Sequence, residues 1–217
     1  MIVKICGLKN KEDLKLAKEL GANVVGMICG VPESPRNNSI EECKALFDSV
    51  TGIKRAVLFR NNSQAEVLNV LKEISFEILH LCGSEDAEFR VSIKKEFPDI
   101  KIWQSIGVPL ENPDSEEWVQ SVKNALKDST IETVVLDSQK SGKTGGTGKA
   151  FPFSVVAEKL GFLQKEVIIA GGLKEELLEE LFENLSPMGL DISSGIEKSP
   201  GVKSSEKMKS FFKKLPN

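Results

Sequence analysis

Ile2-Val3-Lys4-Ile5-Cys6-Gly7-Leu8-Lys9-Asn10 opens the chain and holds one complete unit of its architecture. A short run rich in β-branched side chains reads as a strand. Gly7-Leu8-Lys9 is the turn, and Asn10 is placed to cap a following helix. A doubly wound nucleotide-binding sheet would carry a Gly-rich turn here; instead a thiol, Cys6, ends the strand. The same strand-turn-helix phrase recurs throughout. Strands are expected over 2–6, 23–28, 53–59, 76–81, 100–105, 132–136, 167–170 and 189–192. Helices are expected over 10–20, 40–49, 63–72, 85–96, 115–126, about 152–160, 174–182 and 204–215. Eight such units with short links predict an α/β fold, a single-domain (β/α)8 TIM barrel over residues 1–217.

Hydrophobic content of 40% with 28% charge is ordinary for a chain that buries a full core. Twenty-nine basic residues against 32 acidic ones leave a net charge of −3. That balance gives no general pull toward nucleic acid or an anionic membrane, so an anionic ligand must be held locally. No apolar run approaches the ~18 residues of a spanning helix, and the opening strand is too short for a signal peptide. The four cysteines, Cys6, Cys29, Cys43 and Cys82, form no C-x-x-C pair and share one histidine, His80. Reduced thiols in a cytoplasmic protein are expected, with no metal site. Met208, Phe211 and Phe212 recur at helical spacing in the lysine-rich tail, as in a last helix laying an apolar face on the barrel.

In barrels of this kind chemistry is done where strands end. Cys6 and Asp137 each close an apolar run, and a thiol facing a carboxyl makes a base and acid pair for a proton-shifting reaction. Each also has a plainer reading: a buried structural thiol for Cys6, a capping or loop carboxylate for Asp137. An ordinary thiol is only a few per cent thiolate at pH 7, and half ionisation needs about 2 kcal/mol of differential stabilisation. Asp137 has the opposite need, since an acid must keep its proton, which takes burial or a negative neighbour.

Two late turns, Ala170-Gly171-Gly172-Leu173 and Asp191-Ile192-Ser193-Ser194-Gly195, are poor in bulky side chains and expose backbone N–H groups. Loops after the seventh and eighth barrel strands commonly hold a phosphate. The loop after the sixth strand carries Gly142, Gly145, Gly146 and Gly148, the composition of either a functional lid or a disordered tip. It is no nucleotide P-loop, because Lys143 stands five before Gly148 and Ala150 occupies the magnesium-binding Ser/Thr position. Arg36, in Glu33-Ser34-Pro35-Arg36, could pair bidentately with a ligand carboxylate.

With Lys4-Ile5-Cys6-Gly7, Ser34-Pro35-Arg36, Leu136-Asp137-Ser138, Gly145-Gly146-Thr147-Gly148 and the two late turns in this order, closed by Pro200-Gly201-Val202-Lys203, nearly the whole chain resembles the phosphoribosylanthranilate isomerase family of tryptophan biosynthesis. The resemblance implies an Amadori rearrangement of a sugar-phosphate substrate without metal or organic cofactor. It implies that Asp137 is the general acid and Cys6 the general base. Arg36 would hold the anthranilate carboxylate and Asp191 a sugar hydroxyl. Gly171, Gly172, Ser193, Ser194 and Gly195 would hold the phosphate, with Gly145 and Gly146 on the mobile loop. No nucleic-acid or membrane partner is implied, and the assembly is a monomer or homodimer.

Three departures bear on the aryl slot. His80-Leu81-Cys82-Gly83 stands where the family usually reads Gln-Leu-His-Gly. Met27, Ile28 and Cys29 precede the proline-arginine turn, where an aromatic is usual, and Asn37 follows Arg36. Two rivals stay open. One is an isomerase of the related aminoaldose phosphate of histidine synthesis, a type that pairs two aspartates; the other is a phosphate-binding barrel without catalysis, which needs neither acid nor base.

Overall fold

The computed structural model describes residues 1–140, 143–144 and 148–216, with the backbone alone at 140, 143 and 144. Along the first strand, alternation turns Val3 and Ile5 outward beneath the helices and Lys4 and Cys6 inward. The parallel strands are β1 (Ile2–Cys6), β2 (Val24–Cys29), β3 (Lys54–Phe59), β4 (Ile78–Leu81), β5 (Lys101–Pro109), β6 (Thr133–Lys140), β7 (Val167–Ile169) and β8 (Gly189–Ile192). Each pairs with the next, and β1 pairs with both β2 and β8, which closes the barrel.

Helices α1 (Lys11–Glu19), α2 (Ile40–Phe47), α3 (Gln64–Glu73), α4 (Ala87–Glu96), α5 (Glu116–Lys127), α6 (Phe153–Leu160), α7 (Leu178–Asn184) and α8 (Ser205–Lys213) follow the strands in turn. The (β/α)8 expectation holds. Ser39 with Glu42 and Ser63 with Glu66 form reciprocal capping boxes at the starts of α2 and α3, each cap worth about 1 kcal/mol. The tail behaves as its spacing predicts: α8 buries Met208 and Phe211 completely. Among the described residues no helix is long and apolar enough to cross a membrane.

A large apolar layer lies between strands and helices, while Val24, Ala56, Ile78, Trp103, Val135 and Ile168 plug the barrel interior. Lys4, at 0% exposure, is the charged intruder among those inward positions.

The sixth unit differs from its sequence reading. β5 and β6 run on together past the barrel rim, with Gly107 paired to Asp137 and Pro109 to Gln139, so Asp137 lies within a strand instead of ending it. β4 stops at Leu81, leaving the upper part of β5 an edge on that side, where Pro109 needs no N–H partner. The α7 region also begins differently, as a 3-10 turn, Glu175–Leu177, that leads into the α-helix.

Candidate active site

The C-terminal ends of the strands open on a cavity of about 490 Å3. Cys6 from β1, Asp137 from β6 and Asp191 from β8 all line it, together with Gly171, Gly172, Ser194 and Arg36. Two residues remote in sequence, a thiol and a carboxyl, therefore share one chamber. Gly145 and Gly146 lie outside the described residues.

Gly7 makes the first turn possible. Its φ of +73° suits glycine, and a Cβ there would stand 2.5 Å from Arg36 Cδ. Arg36 is held firmly: its Nε and Nη2 donate to Glu197 Oε1 and Oε2, both at 2.7 Å. Lys203 Nζ donates to the same Glu197 at 2.9 Å, to Ser193 O at 3.0 Å and to Ser193 Oγ at 3.3 Å. Burial works to raise the Glu197 carboxyl, but Arg36 and Lys203 outweigh it and hold it below its usual range. Arg36 is thus no solvated surface cation. Two of its five N–H donors are committed to positioning, and the same side chain borders the cavity.

The Ser193 hydroxyl donates to the carbonyl of Cys6 at 3.0 Å, fastening the β8 loop to the β1 loop. Gly195 sits behind the main cavity: a Cβ there would fall 1.7 Å from Leu173 O, so its bareness lets the seventh and eighth loops touch. Gly171, at φ +82°, does the same for Asp137, whose Oδ1 lies 2.7 Å from where a Cβ would be.

Burial, and then the negative charge of Asp191, push the Asp137 carboxyl up to about 7, against the Ser138 N–H, Arg60 and Lys4. It is poised to hold a proton near neutrality, as an acid requires. Asp137 Oδ1 and Asp191 Oδ1 are buried and accept no hydrogen bond among the described residues. Such acceptors are costly to leave unmet, and they face a cavity where a ligand's hydroxyl or ring oxygen would satisfy them. Cys6 is pushed up by burial and, more weakly, by Asp191, while Lys4 pulls it down. The need for outside help in forming a thiolate is therefore greater than its sequence position suggests.

The family departures fall unequally. Met27 and Cys29 point outward into the apolar layer, whereas Ile28 lines the cavity with Val31, Pro35 and Leu58. Asn37 accepts from Val31 N at 2.8 Å and closes its own loop. His80 and Cys82 do reach the cavity, where Ser105 Oγ lies 3.0 Å from His80 Nε2 and 3.1 Å from Cys82 Sγ. Sequence reasoning missed Lys4, Glu197 and Lys203. The period-2 alternation that places Cys6 inward places Lys4 there too, and was the signal available for it.

The model of the N-(5'-phosphoribosyl)anthranilate isomerase family matches residues 3–214. An N-(5'-phosphoribosyl)anthranilate isomerase of Sulfurihydrogenibium sp. is 33% identical over 217 residues, covering 100% of both chains. Phosphoribosyl anthranilate isomerase from Thermus thermophilus superposes with a TM-score of 0.80 at 31% identity, over 99% of this chain and 98% of that one. A phosphoribosyl anthranilate isomerase solved in complex with reduced 1-(o-carboxyphenylamino)-1-deoxyribulose 5-phosphate superposes at 0.79 with 25% identity, over 99% and 98%.

Proposed function

This chain belongs to the N-(5'-phosphoribosyl)anthranilate isomerase family, and from that premise we propose that Asp137 and Cys6 are the acid and base of its reaction. The activity is that of an isomerase of tryptophan biosynthesis: N-(5'-phosphoribosyl)anthranilate becomes 1-(2-carboxyphenylamino)-1-deoxyribulose 5-phosphate. The observation that carries the assignment is a carboxyl tuned to about 7 opening on the same cavity as a buried thiol.

Asp137 gives its proton to the furanose ring oxygen as the C1'–O bond breaks, and the anthranilate nitrogen takes up the positive charge as an imine. That charge makes the C2' hydrogen acidic. Cys6, as thiolate, removes it, and the electron pair of the C–H bond becomes the C1'–C2' double bond of an enolamine. Tautomerisation to the ketone completes the exchange, with no net oxidation. Asp191 accepts a sugar hydroxyl on its Oδ1. The phosphate rests against the N–H groups of the Gly171-Gly172 and Ser193-Ser194-Gly195 turns.

The anthranilate ring lies along Ile28, Val31 and Leu58, and its carboxylate meets the Arg36 guanidinium. We read the chain as a single barrel domain spanning 1–217, in a monomer or a homodimer. Four unbridged cysteines support a cytoplasmic setting.

The purified protein should consume N-(5'-phosphoribosyl)anthranilate with loss of its fluorescence; an inert protein would overturn the reading. In the same assay Arg36→Ala should raise KM by tenfold or more with a smaller change in kcat, since a charge-assisted pair worth roughly 1.5–3 kcal/mol is lost from ground and transition states alike. An unchanged KM would remove Arg36 from the carboxylate.

A further inference from the structure

Lys4 has no part in the scheme above, yet it occupies the most expensive position in the barrel. A fully buried ammonium is tolerated only where its donors are met and its charge is matched. An ammonium has three N–H donors. One goes to Asp191 Oδ2 at 2.6 Å and one to His80 Nδ1 at 3.2 Å. The third faces the Cys6 sulfur. A Cβ built on Gly26 of the neighbouring strand would sit 3.3 Å from both Lys4 Nζ and Cys6 Sγ, so the two atoms flank one point.

The partners fix the charges. Burial, reinforced by the Lys4 charge, holds His80 well below its usual range. It is a neutral imidazole whose Nδ1 accepts from Lys4 and whose Nε2 carries the proton toward Ser105 Oγ and Cys82 Sγ. The 3.7 Å approach of His80 Nδ1 to Asp191 Oδ2 is accordingly no ion pair. Burial works against the Lys4 charge, but Asp191 and Cys6 outweigh it, and the ammonium keeps its proton.

The groups around the sulfur are Lys4 on its own strand, Asp191 on β8 and Lys203 on the following hairpin. Across the cavity stand Asp137, His80 and Cys82, with Arg36 on the loop beyond Gly7. Of the two lysines that draw the thiol down, Lys4 pulls harder than Lys203, and the same-face, two-residue spacing of β1 is what puts it beside Cys6.

We propose that Lys4 is a positioning residue for proton abstraction: its ammonium, braced by His80, is the built-in counter-ion of the Cys6 thiolate, and Asp191 opposes it by competing for the same charge. The proposal rests on Cys6 being the base. It also gives Asp191 a second role. A substrate hydroxyl that hydrogen-bonds to Asp191 draws on the carboxylate's negative charge, loosens its hold on Lys4 and leaves that ammonium to the sulfur, so the base sharpens when substrate is seated.

Alkylation of Cys6 by iodoacetamide, followed against pH and located by peptide mass spectrometry, reads the thiolate fraction without substrate. The two partners must act with opposite signs. Lys4→Met should slow alkylation at pH 7 by about tenfold, the equivalent of one pKa unit, while Asp191→Asn should accelerate it. Should Lys4→Met fail to fold, the comparison moves to Lys4→Met/Asp191→Asn against Asp191→Asn, where no unmatched charge is left behind; the same slowing is expected. A folded Lys4→Met protein with the wild-type alkylation profile, or a slower Asp191→Asn protein, overturns the proposal. Failure of the underlying reading is distinguishable, because it appears as sustained turnover by Cys6→Ala whatever the alkylation rates.

Discussion

Asp137→Asn should lower kcat by about 10³ and, against that loss, make the protein more stable above pH 7. The catalytic half follows from removing the carboxyl we propose as the acid for the ring oxygen, a contribution of ~10²–10⁴ for positioned general acids. The stability half follows from linkage. An aspartate in the unfolded chain ionises near its ordinary value of 3.8, while the folded chain keeps the Asp137 proton to about 7. Between those values the native state binds more protons than the unfolded one, so stability falls as pH rises, and the deficit is complete above both. The gap corresponds to at most about 4 kcal/mol. Water in the cavity relieves part of it, and a gain on the order of 1–3 kcal/mol is expected from an asparagine that cannot ionise. Urea melts at pH 5 and pH 8.5 check this: the variant's advantage should be clearly larger at the higher pH.

The same variant dissects the pH profile. With Asp137 near 7 and burial holding the Cys6 thiol above its ordinary value, the productive pair of protonated acid and ionised base is a minority form. For such a pair kcat/KM rises with pH up to the acid's pKa, stays flat, and falls beyond the thiol's. The bend near 7, where the rise gives way to the plateau, therefore belongs to Asp137, although the lower of two such values is usually assigned to the base. It should vanish in Asp137→Asn, whose residual kcat/KM keeps rising through 7 until the thiol ionises; a bend near 7 that survives belongs to another group.

Cys6→Ala should reduce kcat by ~10² or more with little change in KM. Cys6 is 4% exposed and small, so its loss removes little packing, about 1 kcal/mol. Cys6→Ser should be nearly as inactive, because a hydroxyl is a far weaker acid than a thiol and yields no anion at neutral pH. Near-normal turnover by either variant, followed as loss of substrate fluorescence, would take Cys6 out of the mechanism. A rise in KM at constant kcat would make it part of the binding wall.

Much of this was legible in the chain because strand ends and glycine turns leave local marks. Val3 and Ile5 alternate with inward residues, and Gly171-Gly172 marks a turn that only bare backbone can make. Asp137 was found for a reason that is only partly right. The end of its apolar run suggests a strand's end, yet the β5–β6 ladder continues past Asp137 to the pairing of Pro109 with Gln139. Glu197 and Lys203 left no signal of function. Their partner Arg36 is 161 residues away from Glu197, and only closure of the barrel brings the three together. Lys4 drew no reading of its own from the sequence, although the strand's alternation drives it into the interior, where a lysine seldom goes.

A crystal structure of the protein with reduced 1-(o-carboxyphenylamino)-1-deoxyribulose 5-phosphate tests the shared site most directly. The phosphate should lie on the N–H groups of Gly172 and Ser194, the aryl carboxylate on Arg36, and C2' within about 3.5 Å of Cys6 Sγ, with Asp137 on the oxygen that closes the furanose. A ligand bound with C2' out of reach of the sulfur, or with Cys6 and Asp137 touching unrelated parts of the molecule, would contradict an acid and a base acting across one sugar.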